Sequence, residues 1–217
     1  MPIVPQTLVR APALLVSLAV LAATVAGCGP TQEPTDPDVD AGAQAPDLAG
    51  RYTSGCLDFS TEDAPNIFTL DVDLTSDRWA LDYVVHGTDD CTAPVLTVHI
   101  EGPYELTAPS EAVDGAWEGS FFFDEKTMTP HVEDMVATLN AIEGCGDGPF
   151  TLDGTTSVLE HGCTPFGQYP VAECSQDFDL VSLDDDGLRF GNRPADNDMC
   201  TEAKRPTELS PILLTRS

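Results

Sequence analysis

From residue 67 onward the chain alternates apolar and polar side chains with a period of two, the pattern of a strand that is covered on one face and wet on the other. Phe68, Leu70, Val72 and Leu74 are interleaved with Thr69, Asp71 and Asp73. Trp79, Leu81, Tyr83 and Val85 share one face of the next segment, Leu96, Val98 and Ile100 one face of a third, and Trp117, Gly119, Phe121 and Phe123 one face of a fourth. Thr75-Ser76-Asp77 is short enough to join the first two as a hairpin, and a run of short connections predicts an antiparallel meander. One stretch has the helical period instead. Within Thr129–Glu143, the residues Val132, Met135, Val136, Leu139 and Ile142 fall on one face. Thr129 is placed to cap a helix over about 130–143, with Pro130 in its first turn and Gly144 at its left-handed end. The pattern predicts a mainly β domain with one amphipathic helix beside the sheet.

Before this domain the composition changes twice. Residues 1–27 carry Arg10, no acid, and the apolar run Ala11–Ala26. That run is shorter than the ~20 residues a membrane span needs and suits a signal peptide. Val25-Ala26-Gly27 followed by Cys28 has the form of a bacterial lipobox. Cys28 is therefore expected to begin the mature chain and to carry lipid, including palmitate-type acyl groups. Residues 28–47 hold many Pro, Asp and Gly and one sizeable aliphatic, Val39. Such a segment cannot bury enough surface to offset its ordering entropy, and is predicted to be a disordered tether to a domain over 48–217. Gly29 follows the cysteine where an inner-membrane retention signal would place aspartate. The expected location is the bacterial cell envelope, at the outer membrane or cell surface.

Charge and cysteine content narrow the function classes. The chain has 37 acidic and 9 basic residues, a formal net charge of −28. A surface of that sign repels nucleic acid and anionic headgroups, so the membrane partner is expected to be reached through the Cys28 lipid and no nucleic-acid partner is expected. Six cysteines follow Cys28, an even number that suits disulfides in an oxidising compartment. Spacing leaves many connectivities open. Asp153-Gly154 reads as the turn of a hairpin between Phe150–Leu152 and Ser157–Leu159, which would bring Cys145 to Cys163. Asp184–Gly187 reads as a second turn, flanked by Cys174 and Cys200, and an up-down-up path would return Cys91 to Cys56. The expected pairs are Cys56–Cys91, Cys145–Cys163 and Cys174–Cys200. No zinc-type cysteine or histidine spacing occurs, and neither a G-x-S-x-G nor an H-E-x-x-H string is present. Asp184–Gly187 resembles the start of a calcium loop, but Ala195 stands where the twelfth-position glutamate belongs. No metal, cofactor or catalytic set is expected.

The aromatic faces are the stronger lead. Phe68, Trp79, Tyr83, Phe121 and Phe123, with Leu81 beside them, are predicted to point to one interior. Such an interior either packs solid, giving a structural or protein-interaction module, or leaves a ligand cavity. These six residues are the candidate ligand-binding set.

An ordered series of short motifs runs through the domain: GRYTSGC (50–56), Trp79, DDCTAP (89–94), EGPYEL (101–106), Val113-Asp114-Gly115, Met128 to Pro130, Leu139-Asn140, Cys145-Gly146, Gly162-Cys163, Asp186-Gly187-Leu188, Phe190 through Pro194, and Arg205-Pro206-Thr207. In this order the series resembles the adenomatosis polyposis coli down-regulated domain, the extracellular module of a membrane-anchored Wnt antagonist. The resemblance covers about 50–215. It implies a curved sheet closing into a lipocalin-like barrel or half-barrel, a helix beside it, a cavity for acyl chains, and a binding module rather than an enzyme. Cys56, Cys91, Cys145 and Cys163 match the family's cysteines, while Cys174 and Cys200 are additional. A lipobox implies a bacterium, so the Wnt partner does not carry over. The leading expectation is a lipid-anchored module that holds an acyl chain or other lipophilic molecule.

Overall fold

A computed structural model describes residues 44–61 and 65–217. Cys28, the expected leader over 1–27 and the expected tether up to residue 43 lie outside the described residues. Regular packing begins at Leu48, which is fully buried and whose carbonyl accepts a hydrogen bond from the Tyr52 hydroxyl.

The strands are β1 (Gly50–Thr53), β2 (Leu57–Asp58), β3 (Ile67–Leu74), β4 (Arg78–His86), β5 (Pro94–Pro109), β6 (Trp117–Phe122), β7 (Glu125–Pro130), β8 (Thr156–Ser157), β9 (Gln176–Leu183), β10 (Leu188–Phe190) and β11 (Thr215–Arg216), with a single α-helix, α1 (Glu133–Asn140), among the described residues. They form one antiparallel sheet in the order β10-β9-β6-β5-β4-β3-β1-β11, with β2 beside β3 and with β7 and β8 branching from β5. β3, β4 and β5 are the predicted meander, joined in register from Leu74↔Trp79 and Leu81↔Ile100. β5 is long because it meets two partners in turn: β7 along Leu96–Glu101 and β6 along Tyr104–Pro109. The change of partner falls at Gly102, where a Cβ would lie 2.1 Å from the Phe122 carbonyl oxygen. No other residue lets the two backbones approach so closely.

The last residues nearly close the sheet on itself. Leu214 bridges Leu188 of β10, and the next two residues pair with Tyr52 and Thr53 of β1. A strand at each edge therefore finds a partner, which removes most of the open edge that would invite aggregation. The result is a barrel-like antiparallel sheet with one helix.

All three expected cysteine pairs are formed. The turn at Asp184–Gly187 is also present: Asp184 Oδ1 accepts the backbone N–H groups of Asp186 and Gly187, and its other oxygen pairs with Arg189. Two local expectations need correction. The helix spans Glu133–Asn140, not about 130–143: Thr129 does not cap it, Val132 is its N-cap, and its C-cap is Ala141, three residues before Gly144. Thr129 and Pro130 instead end β7, where they pair with Thr97 and Leu96. Proline at the last strand position sacrifices no ladder bond that is needed, so the same residue that signals a helix start also suits a strand end. The second correction concerns Asp153-Gly154. A turn is there, with Gly154 N–H donating to the Thr151 carbonyl, but Phe150–Leu152 form no strand and Ser157 pairs with Thr127 of β7. Cys145 and Cys163 are joined through a loop closed by the Gly146 N–H to the Gly162 carbonyl, 2.8 Å.

Candidate functional site: an apolar cavity with a charged end

The inward faces of the strands do not meet everywhere. One buried cluster gathers Val72, Leu74, Trp79, Phe121, Val181 and Leu188 with their neighbours. A second gathers Leu96, Val98, Met128, Leu139 and Phe150 around the Cys145–Cys163 disulfide, under α1. A cavity of about 670 Å³ opens on residues of both. Its presence explains a departure in burial along β4. Trp79 is 5% exposed, but Leu81, Tyr83 and Val85, on the same inward face, remain only half-buried because they border empty space.

Five of the six residues singled out from sequence line this cavity: Phe68, Trp79, Leu81, Tyr83 and Phe121. Phe68 and Tyr83 stand 5.1 Å apart, and Trp79 meets Phe121 edge-on at 5.3 Å. The Trp79 indole N–H donates to the Phe122 carbonyl at 3.0 Å, which fixes its ring against the wall. Burial raises the Tyr83 hydroxyl above its ordinary value near 10, so it stays protonated across the physiological range. The sixth residue, Phe123, lies one position past the end of β6 and joins Trp79 and Phe121 in the first buried cluster, but it does not line this cavity. It is buried beside a separate small pocket of about 20 Å³, with the Lys126 ammonium 4.7 Å from its ring centre.

One end of the main cavity is polar. Asp179, Asn192, Arg193 and Asn197 line it, and Asp177 and Lys126 border the small pocket next to it. β9 turns Asp177 and Asp179 inward, at 6% and 2% exposure, while Phe178 on its other face is covered by Arg205, whose guanidinium lies 5.5 Å from the ring centre. Arg193 compensates the acids: its Nη2 bonds Asp177 and lies 3.9 Å from Asp179, and its Nη1 donates to Asn197 at 2.6 Å. Asp179 Oδ1 accepts the N–H groups of Leu180 and Gly191 at 2.7 and 3.0 Å. Gly191 is required there, since a Cβ would stand 2.5 Å from that same oxygen. Burial pushes Asp179 up to about 6, Arg193 opposing, and lowers Lys126 to about 8, with Asp177 opposing.

These polar residues carried no functional role in the sequence reading. The pattern Asp177-Phe178-Asp179-Leu180 alternates, but it does not say which face turns inward. Arg193 did fall in a recognised motif, Phe190 through Pro194, and that was the available signal.

The raised Asp179 has a measurable consequence. The native state holds a proton here between the ordinary carboxyl value of 3.8 and about 6, whereas the unfolded chain has released it. Stability from this group is therefore present below pH ~4 and is lost as pH rises through ~6, by on the order of 3 kcal/mol. Asp179→Asn should flatten that part of the stability–pH curve in urea titrations. A variant curve parallel to the wild type would show that Asp179 ionises normally.

The histidines do not assemble a reactive centre. His86 meets Thr69, His99 meets Asp82, and His131 lies between Thr97 and Asp153. Ser157, Asp147 and His161 are in contact, but the carboxylate sits between the other two, so the imidazole does not touch the hydroxyl as a general base would. Among the described residues no group of three or more His, Cys, Asp or Glu is placed to hold a metal ion. The chain matches no protein-family model and no curated protein.

Proposed function

We propose that the chain is a lipid-anchored binding module of the bacterial cell envelope, that it holds an acyl chain or similar apolar molecule inside its sheet, and that its likeness to the adenomatosis polyposis coli down-regulated domain extends to this use. The observation that carries the reading is the cavity. Its volume lies within the ~300–1,000 Å³ range of small-molecule sites, and its wall is apolar except at one end, as an amphiphile requires. Each methylene transferred from water into it contributes about 0.8 kcal/mol. The three disulfides suit an oxidising compartment outside the cytoplasm. The motif at Val25–Cys28 supplies the anchor, and the long acidic, proline-rich segment after it supplies reach.

Two experiments address the two halves of the reading. Native mass spectrometry of protein purified from its own membrane should show added mass equal to a single-chain lipid, removed by delipidation. Recovery of the bare polypeptide alone would count against an acyl ligand. Cys28→Ser should shift the protein from the membrane to the soluble fraction, since the thiol is the acylation site. Equal membrane retention by the variant would mean that another anchor holds it.

A further inference from the structure

Asp179 and Arg193 are unusual neighbours for an acyl chain. Asp179 is 2% exposed, lines the cavity together with apolar residues such as Phe121, Phe190 and Leu214, and has one carboxylate oxygen already occupied by two backbone N–H groups. Its other oxygen is 3.9 Å from Arg193 Nη2, a separation too long for a direct hydrogen bond. Two groups that far apart can share a single oxygen atom lying about 2.8 Å from each. That atom must accept from the guanidinium and donate to the carboxylate.

We infer that the charged end of the cavity selects a single-chain lipid whose head is an uncharged hydroxyl, bridging Asp179 and Arg193. The inference rests on the acyl-chain reading above and names the head group that goes with it.

Charge balance supports the choice. The groups facing this corner are Asp177 and Asp179 from β9, Arg193 from the segment after β10 and Lys126 from β7, two acids against two cations. On the outer side of β9, Arg205 donates to the Asp179 carbonyl and pairs with Glu118, so it adds no unbalanced charge. The corner is neutral before any ligand arrives. A carboxylate head would bring a third negative charge beside Asp177 and Asp179, on a chain of net charge −28. A hydroxyl brings none and satisfies both partners. A methyl ester can accept from Arg193 but cannot donate to Asp179. A carboxylate head becomes acceptable only when it or the corner takes up a proton, and Asp179, already raised toward 6, is the group in the corner placed to take one.

The test is displacement of the neutral probe 1-N-phenylnaphthylamine from the delipidated full-length protein by 1-dodecanol, dodecanoate and methyl dodecanoate. At pH about 7.5 the alcohol should displace the probe at about tenfold lower concentration than the acid, with the ester also weaker than the alcohol. At pH about 5 the deficit of the acid should shrink while the alcohol is unchanged. Asp179→Asn should raise the acid's affinity at pH about 7.5 and leave the alcohol within a few-fold. An acid that binds as tightly as the alcohol at pH about 7.5 overturns the inference, as does a pH shift that changes both equally. The wild-type comparison stands without the variant, should that fail to fold. Failure of every dodecyl compound to displace the probe would instead remove the acyl-chain reading itself.

Discussion

Trp79→Ala is expected to destabilise the domain by about 3–5 kcal/mol, the range for deleting a large buried aromatic. Three contributions act together at this position. The side chain is 5% exposed, so its truncation leaves a void in the first of the two apolar clusters. It contacts both Phe121 and Phe123, at 5.3 and 6.2 Å, and so ties β4 to the end of β6 across the barrel. Its indole N–H satisfies the Phe122 carbonyl at the point where β6 gives way to β7. Trp79→Phe keeps most of the ring contact and forfeits the hydrogen bond, so it should cost nearer 1 kcal/mol. Urea unfolding of both variants separates the contributions. Equal losses in the two would place the whole effect in the hydrogen bond and none in the packing.

Leu81→Trp is expected to weaken saturable binding of single-chain lipids while leaving the fold intact. Leu81 is half-buried at the middle of β4, and its side chain borders open volume instead of packed atoms. A larger side chain there can occupy the cavity without displacing a neighbour, so the usual strain of overpacking is avoided. Filling the space also buries apolar area that is now open, and the variant should unfold at the same or a higher temperature. The pairing of weakened binding with retained stability is the diagnostic feature. A variant that unfolds early would show that the interior was already full, which is what a packed structural module requires.

β3, β4 and the first half of β5 were legible because each has one strictly apolar face. β3 and β4 follow the pattern of Phe68 to Leu74 and Trp79 to Val85 residue for residue, and the polar partners Asp71 and Asp73 are exposed as expected. Phe123 follows the same alternation and joins Trp79 in the core, but periodicity cannot say which inward residues border empty space, and Phe123 borders the small pocket instead. The helix start was misplaced because Thr129-Pro130 satisfies the local rule for a helix N-terminus and also suits the end of a strand, and pairing with Leu96 and Thr97 decided between them. The charged end of the cavity was hidden for a different reason. Asp177 and Asp179 are received inside by Arg193, Lys126 and the Gly191 N–H, which come from outside β9. No local pattern encodes that convergence. What sequence does record is the glycine that permits it, Gly191, since any side chain there would collide with the Asp179 carboxylate.

Titration of the delipidated wild-type protein with a fluorescent single-chain lipid, followed by thermal unfolding of the same samples, tests the presence of a working binding cavity most directly. Saturable binding of one lipid per chain is expected, with a melting temperature that rises with ligand concentration as mass action requires, and with both effects weaker in Leu81→Trp. Absence of saturable binding together with an unchanged melting temperature would contradict it.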